Sequence, residues 1–404
     1  MNEQKASLWT KSFIVVSAIN FFIILIFYLL IVTIAEHAVE EFGASTSTAG
    51  LVASIFIIGT LLGRLMTGRI ITTLGIIKTF YVGLCFFTIT TLAYFIAGNL
   101  PLLLGIRTLH GLAVGIISTA TGTVVAQIIP SSRRGEGIGY FSMSIVLASA
   151  VGPFIGMFLT QAFANFNIIF IFNTILVVIC IVTSFLLKIE ERDGQTSSHG
   201  KENHTGFSVR NYIEPKSLRI SFIALLVGFT YSGVMSFLSF YSVEINLVKA
   251  GSLFFLVYAI AILVSRPFTG PLMDRRGANI VVYPALILFA FGMLLFSEAT
   301  TSVVFLLAAC LIGLGFGNFN SIAQTLAIKD IESSRLGHAT STYFILYDLG
   351  LGLGPFLLGY FVPIIGYRHL FLAMVPVIII AIIVYAILVG SKEIQQEKRN
   401  VKAA

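Results

Sequence analysis

The stretch Arg64-Leu65-Met66-Thr67-Gly68 is followed by Gly75, and 202 residues later Arg266-Pro267-Phe268-Thr269-Gly270 is followed by Gly277. This offset is half of the 404-residue chain. Further blocks repeat at the same offset of 202 residues, and no gap is needed to align them. They are Gly111-Leu112 and Gly115 with Gly313-Leu314 and Gly317, Ser131-Ser132-Arg133 with Ser333-Ser334-Arg335, and Gly152-Pro153-Phe154 with Gly354-Pro355-Phe356. The matches are Gly, Arg, Ser and Pro rather than the abundant aliphatic residues. The repeat therefore predicts two halves of similar fold.

The composition is that of a membrane protein. Hydrophobic residues make up 57% of the chain, charged residues 11%, and the mean hydropathy is +0.97. Soluble domains carry about a quarter charged residues. The apolar runs are continuous and about 20 residues long, which favours membrane-spanning helices over a β-barrel. We therefore expect an all-α membrane protein whose partner is the lipid bilayer.

Twelve apolar runs are long enough to cross a membrane. They are residues 12–37, 46–70, 77–98, 101–128, 136–162, 166–187, 219–245, 249–273, 279–298, 302–328, 336–363 and 368–390. The chain is accordingly divided into an N-terminal six-helix bundle at 1–187, a polar cytoplasmic linker at 188–218, a C-terminal six-helix bundle at 219–390 and a cytoplasmic tail at 391–404. We expect a monomer.

The basic residues are distributed unequally between the two sets of loops. One set of loops contains Lys78, Arg133, Arg134, Arg275, Arg276, Lys329 and Arg335, and the termini on the same side add Lys5, Lys11, Lys392, Lys398, Arg399 and Lys402. The other set has Lys249 and Arg368 beside several glutamates. The positive-inside rule then predicts a multi-pass protein of the cell membrane with both termini in the cytoplasm. The same rule accounts for the net charge of +7, so no nucleic-acid partner is expected.

The sequence offers no pattern typical of an enzyme. It has no Walker loop, no metal-ligand spacing and no nucleophile elbow. We expect no catalytic residues, no metal and no cofactor, and a proton gradient rather than ATP as the energy source.

A glycine-rich motif, Gly270-Pro-Leu-Met-Asp274-Arg275-Arg276-Gly277, connects spans 8 and 9. It resembles the loop signature G-x-x-x-D-x-x-G-R/K of the major facilitator superfamily, which lies between spans 2 and 3 and is echoed between spans 8 and 9. The first-half copy keeps Gly68 and Gly75 but has Thr72 in place of the acid. That departure predicts an asymmetric gate.

The resemblance implies the major facilitator fold, with two six-helix bundles related by a pseudo-two-fold axis along the membrane normal. It also implies transport by alternating access and a cytoplasmic gate. We assign to that gate Arg64, Gly68, Arg266, Gly270, Asp274, Arg275 and Gly277. The alternative for the two arginines of spans 2 and 8 is that they only reach the lipid headgroups.

Span 4 contains Leu103-x-x-x-Arg107-x-x-His110-Gly111, which resembles the L-x-x-x-R-x-x-Q-G motif of the efflux branch, with His110 replacing the glutamine. The resemblance implies proton coupling by Arg107, and a histidine titrates near neutral pH. The alternatives are a permanently paired arginine and a histidine that only joins helices.

Small residues and prolines in spans 5 and 11 resemble the efflux-branch signature G-x-x-x-G-P-x-x-G. They are Gly152, Pro153 and Gly156 in span 5, and Gly354 and Pro355 in span 11. Small residues let helices approach closely and proline bends a span. Ordinary helix packing would explain the same residues.

Asp348 lies about eleven residues into span 11, roughly 16 Å deep. A carboxylate at this depth must be protonated, paired or hydrated, which makes it the strongest candidate for proton coupling, with Arg107 as the candidate partner. A structural ion pair is the alternative.

A few polar residues within the spans predict a largely apolar substrate cavity. They are Asn20, Tyr231, Asn318, Asn320 and Gln324. We expect proton-coupled efflux of small amphipathic molecules. The alternatives are export of an endogenous metabolite such as a metallophore, sugar or purine, uptake of a nutrient, or a non-transporting receptor or lipid flippase on the same scaffold.

Overall fold

The computed structural model describes residues 7–130, 134–163, 165–187, 214–329, 331, 336–391 and 393, and all the regular structure within them is helical. The helices are α1 (Lys11–Phe42), α2 (Thr46–Leu74), α3 (Ile76–Leu92), α4 (Leu100–Ile128), α5 (Arg134–Ala162), α6 (Asn167–Ser184), α7 (Leu218–Glu244), α8 (Val248–Arg276), α9 (Asn279–Ser297), α10 (Ser302–Ile312), α11 (Asn318–Ile328) and α12 (Leu336–Tyr385). Helices satisfy their own backbone polar groups, which lipid cannot do. The predicted linker, up to residue 213, and most of the predicted tail lie outside the described residues.

Eleven helical segments in the described part of the chain are long and apolar enough to cross a membrane. One of them, Ser302–Ile328, joins α10 and α11 through a π-helical turn at Gly313–Gly317. The last, Ala339–Gly390, is 52 residues long, about twice what one crossing requires. Its backbone leaves the helical conformation at Gly366, where φ is 74° and ψ is 166°. The two legs of α12, before and after Gly366, therefore bring the number of crossings to the predicted twelve.

The internal repeat is visible in the local backbone conformation. Gly75, between α2 and α3, has φ 80° and ψ 163°, and Gly277, between α8 and α9, has φ 79° and ψ 167°. A left-handed φ of this size favours glycine. Asn99 caps the N-terminus of α4 by accepting from the Leu102 N–H at 2.9 Å, and Thr301, 202 residues later, caps α10 in the same way. Both halves thus turn and restart their helices alike.

Glycines of the repeat also occupy equivalent close contacts within each half. A Cβ at Gly115 of α4 would lie 2.3 Å from the Thr60 carbonyl oxygen of α2. At Gly317, between α10 and α11, it would lie 2.4 Å from Ile262 of α8. Thr60 and Ile262 are themselves 202 residues apart. The contact between the second and fourth helices is therefore built at the same positions in both halves.

The chain forms two compact units. The first comprises Met1–Tyr28, Ile58–Gly152 and Asn165–Val209, and the second comprises Leu29–Ile57, Pro153–Ala164 and Arg210–Ala404. Within the second unit, the start of α2 packs on the first leg of α12, where a Cβ at Gly50 would lie 2.2 Å from the Pro355 carbonyl oxygen. The division into bundles at residues 187 and 219 remains a prediction.

Candidate functional site

Arg107 and His110 lie together in the first unit, both fully buried. One side chain links them: the Tyr94 hydroxyl is 3.3 Å from Arg107 Nη1 and 3.0 Å from His110 Nδ1. Tyr94 lies in the short 3-10 turn Ala93–Ile96 that follows α3. On its other side, His110 Nε2 is 3.5 Å from Thr91 Oγ1. We call Thr91, Tyr94, Arg107 and His110 the polar cluster.

Aromatic side chains enclose the polar cluster. The Tyr94 ring stacks on Phe170 of α6, with centroids 5.3 Å apart and planes 21° apart. The His110 ring lies 5.0 Å from the ring of Phe87 in α3. Such walls exclude water, which strengthens the hydrogen bonds inside and raises the cost of breaking one. In this state the Arg107 guanidinium therefore donates to a protein group and not to bulk water.

Asn173 of α6 is a buried polar residue that the sequence did not single out. It is fully buried, and neither its amide oxygen nor its amide nitrogen has a hydrogen-bonding partner among the described residues. It lies one helical turn beyond Phe170, on the buried face of α6. Tyr94 and Thr91 were likewise missed. A comparison at the offset of 202 could have found them, because apolar residues stand at the equivalent positions.

Asp348 lies in the second unit, half-buried in the first leg of α12 and twelve residues after Leu336. A rise of 1.5 Å per residue puts it about 18 Å along this leg. It is the only carboxylate between residues 336 and 365. Arg107 belongs to the first unit and Asp348 to the second. Their pairing remains a prediction.

A row of stacked aromatic rings precedes Asp348. Tyr343 and Tyr347 of α12 are 5.9 Å apart with planes 6° apart, and Tyr347 is 6.4 Å from Phe316. Phe316 stacks on Tyr231 of α7 at 3.8 Å. Asp348 thus follows, in sequence, directly after a buried row of stacked aromatic rings. Tyr231, expected in the substrate cavity, is part of this buried row.

Two of the predicted cavity residues lie in different settings. Asn20 of α1 is buried, accepting from Thr121 of α4 and donating to Ser144 of α5, each at 3.2 Å. It therefore joins three helices of the first unit. Gln324 of α11 is half-buried. Whether either residue contacts a substrate remains a prediction.

Asn318 and Asn320 are also bonded to neighbouring helices. Asn318 is buried, and its side-chain oxygen accepts from Thr269 of α8 at 2.9 Å while its nitrogen donates to Ser265 at the same distance. Asn320 accepts from the Tyr343 hydroxyl at 2.5 Å. These amides stabilise the packing of the second unit, and sequence position alone did not distinguish that use from lining a cavity.

The structure describes part of the predicted gate. Arg64 and Arg266 are half-buried, and Arg266 Nε has no hydrogen-bonding partner among the described residues. Gly270 has open space where a Cβ would point, and Gly277 ends α8. The side chains of Asp274 and Arg275 and the burial of Gly68 lie outside the described part. The gate remains a prediction.

The residues of the predicted packing motif lie at helix contacts. A Cβ at Gly156 of α5 would lie 2.9 Å from Thr33 Cγ2 of α1. One at Gly354 of α12 would overlap the Ser232 hydroxyl of α7. Gly152 is buried, and Pro153 and Pro355 lie inside α5 and α12. These positions agree with either of the two explanations, packing in general or an efflux-type bend.

Comparisons with known proteins agree with this architecture. The sequence model described as Major Facilitator Superfamily matches residues 16–355. The chain is 26% identical over 385 residues to multidrug resistance protein 2 of Bacillus subtilis, covering 88% of this chain and 94% of that protein. It is 25% identical over 340 residues to an uncharacterised MFS-type transporter of Methanocaldococcus jannaschii, covering 82% and 86%. The staphylopine export protein of Staphylococcus aureus is 21% identical over 358 residues, with 85% and 88% covered.

Solved structures show the same fold at lower identity. The nucleoside transporter NupG, as a D323A mutant, superimposes with a TM-score of 0.74 at 13% identity, covering 93% of this chain and 99% of that one. A bacterial homologue of the lysosomal transporter Spinster, inward-facing and unoccupied, gives a TM-score of 0.72 at 14% identity, with 93% and 96% covered. The predicted all-α membrane fold is thereby confirmed.

Proposed function

Because this chain belongs to the Major Facilitator Superfamily, whose members named above are transporters and not enzymes, we propose that it is a proton-coupled exporter of small amphipathic molecules. It is a multi-pass membrane protein. In the proposed cycle, a substrate enters from the cytoplasm and protons from outside load an acidic side chain. The two halves then alternate around the site, with the predicted gate on the cytoplasmic side. The proposal includes a monomer in the cell membrane with cytoplasmic termini and no cofactor.

The observation that carries the proposal is Asp348. It is the only carboxylate in the sequence of the first leg of α12, about 18 Å along it, and it directly follows two buried, stacked tyrosines. A carboxylate at that depth is expensive unless it is protonated, paired or hydrated, and each of these states lets its charge change during a transport cycle. In an antiporter, such a carboxylate binds a proton in one part of the cycle and pairs with a cationic substrate in the other. Tyr343 and Tyr347 are buried in this structure, and in the proposed cycle their rings become accessible to an apolar or cationic substrate.

Export as the direction is supported by the relatives. One is named as a multidrug resistance protein and another as an export protein. The small number of polar side chains in the helices and the 36 phenylalanines favour an amphipathic cargo over a sugar. A receptor and a lipid flippase are less well supported, because neither requires both Asp348 and the buried Arg107. A nutrient importer is less well supported because the named relatives are a multidrug resistance protein and an export protein.

The experiment is flux of ethidium, an aromatic cation, in proteoliposomes with an imposed pH gradient. We expect Asp348→Asn to abolish pH-driven flux while the protein still folds and inserts, because the amide cannot carry the proton. Asp348→Glu should retain flux. Glu298→Gln removes an exposed carboxylate that lies 3.8 Å from Arg368, and it should transport like the wild type. Undiminished pH-driven flux in Asp348→Asn would exclude this residue as the coupling site.

A second candidate cargo is a metallophore, because one relative is a staphylopine export protein. The two cargoes can be compared by thermal shift of the purified protein. A rise in the unfolding temperature with staphylopine but not with ethidium would favour metabolite export, and the reverse would favour multidrug efflux.

A further inference from the structure

The hydrogen bonds of the polar cluster run in one direction. The Arg107 guanidinium can only donate, so the Tyr94 oxygen accepts from it. The single hydroxyl hydrogen of Tyr94 is then left for His110 Nδ1, which must accept it. At the other end, the Thr91 hydroxyl donates to the Phe87 carbonyl oxygen at 2.8 Å. Its oxygen therefore accepts from His110 Nε2.

The two ends of this row of hydrogen bonds, Arg107 and the Phe87 carbonyl oxygen, determine the protonation state and tautomer of the imidazole between them. Because Nδ1 accepts and Nε2 donates, His110 is neutral and carries its proton on Nε2. A second proton would have to enter at Nδ1. The new Nδ1–H would then point at the Tyr94 oxygen that already accepts from Arg107, and the Tyr94 hydrogen would need another acceptor. Two cations would share one buried oxygen.

We propose that Tyr94 is a positioning residue that makes protonation of His110 and retention of Arg107 mutually exclusive. The proton that binds Nδ1 comes from the aqueous phase, and it turns the imidazole from acceptor to donor. Arg107 then leaves the Tyr94 oxygen. Deprotonation at Nδ1 restores the hydrogen bond and returns the guanidinium. This inference rests on the proposed proton-coupled function and adds a second proton site to it.

The groups that face His110 come from α3, the turn after it, α4 and α6. Helix α4 contributes Arg107, the charged group that acts on the imidazole. The turn after α3 contributes Tyr94, and α3 itself contributes the uncharged Thr91 and Phe87. Helix α6 reaches the cluster through Phe170. A change in the charge of His110 is therefore felt first by Arg107.

The second half shows that packing does not require these polar groups. At the offset of 202, Thr91, Tyr94, Arg107 and His110 correspond to Met293, Phe296, Ala309 and Ile312. All four of these apolar residues are fully buried. The equivalent place in the second half is thus filled by an ordinary apolar core. The polar cluster is a property of the first half alone, and its cost calls for a function.

The test is nuclear magnetic resonance of the full chain in lipid bilayers, with ¹⁵N-labelled histidine and arginine. The chain has six histidines, and His110→Gln identifies the signal of His110. Near neutral pH we expect a neutral imidazole with the proton on Nε2. On acidification, the signals of His110 and of the Arg107 side chain should change at the same pH. A proton on Nδ1 alone, or a charged imidazole at neutral pH, would overturn the proposal.

Tyr94→Phe provides the decisive variant, because it removes the hydroxyl but keeps the ring that stacks on Phe170. In it, we expect the His110 and Arg107 signals to change at different pH values. The matched control is Tyr81→Phe, which removes another α3-side hydroxyl, bonded at 3.2 Å to the Ser184 carbonyl, and should leave both signals coincident. Coincident changes in Tyr94→Phe would contradict the role of Tyr94.

Flux measurements separate this inference from the proposed function. His110→Gln should lower pH-driven ethidium flux and remove the part of its pH dependence that the imidazole supplies. Linked signals in a protein with no pH-driven flux would refute proton-coupled export and leave the switch standing. Unlinked signals in a protein that transports, with an unchanged pH profile in His110→Gln, would refute the switch and leave the function standing.

Discussion

Buried polar side chains in this chain fall into two kinds, those with all their hydrogen bonds and those without. Asn318 bonds to Ser265, Thr269 and the Leu314 carbonyl, whereas both amide atoms of Asn173 have no partner among the described residues. An unsatisfied buried group costs about 1–3 kcal/mol. Natural chains keep such groups where they serve function. The asparagine side chain therefore stabilises the fold at position 318 and destabilises it at position 173.

This difference predicts stability changes of opposite sign. Asn173→Val introduces the residue found 202 positions later, Val375, and should raise stability by about 1 kcal/mol because it removes an unsatisfied amide. Asn318→Val should lower stability by about 1–3 kcal/mol because Ser265 and Thr269 lose their partner. Thermal unfolding in detergent compares them. A loss of stability in Asn173→Val as large as in Asn318→Val would contradict the assignment.

Between elements, glycine determines how closely the helices approach. The Gly115 contact with Thr60 brings α4 against α2 at backbone distance, and the Gly317 contact with Ile262 does the same between their counterparts. In lipid, helices associate through such close packing because lipid is as apolar as the side chains themselves. The fixed spacing of these glycines therefore reflects a contact that both halves need.

A matched pair of substitutions in α4 tests this contact. Gly115→Ala should destabilise the protein by about 1–3 kcal/mol, because the new Cβ would lie 2.3 Å from the Thr60 oxygen and α2 must move. Gly105→Ala lies in the same helix with nothing within 4 Å of the new Cβ, and it should be neutral or slightly stabilising. Equal unfolding temperatures for the two variants would show that α2 and α4 are not in backbone contact.

The elements were largely predictable because length and hydropathy decide them. All twelve crossings could be counted from apolar runs, and Gly75 and Gly277 were recognisable as turns from the repeat. The sequence predicted a loop between residues 363 and 368, but the structure is helical up to Gly366. Only the backbone conformation of Gly366 separates the last two crossings. The polar cluster was half predictable. Arg107 and His110 are conspicuous in an apolar helix, but Tyr94 owes its role to tertiary proximity.

At the scale of the molecule, the repeat describes what the halves share, and its exceptions suggest where coupling lies. The first half has the polar cluster where the second has apolar packing. The second half has Asp348 where the first has Val146, and Asp274 where the first has Thr72. Two similar halves can supply a symmetric frame for alternating access. Proton coupling requires charge, and the charged side chains are unequally divided between the halves.

Coupling between substrate and protons can be measured by letting a substrate gradient drive proton movement. An outward-directed ethidium gradient is imposed across proteoliposomes without a pH gradient, and the internal pH is followed with a trapped dye. If ethidium is exchanged for protons, the vesicle interior should acidify as ethidium leaves. Asp348→Asn should abolish this acidification. Ethidium movement with no change in internal pH, or acidification that persists in Asp348→Asn, would contradict proton antiport through Asp348.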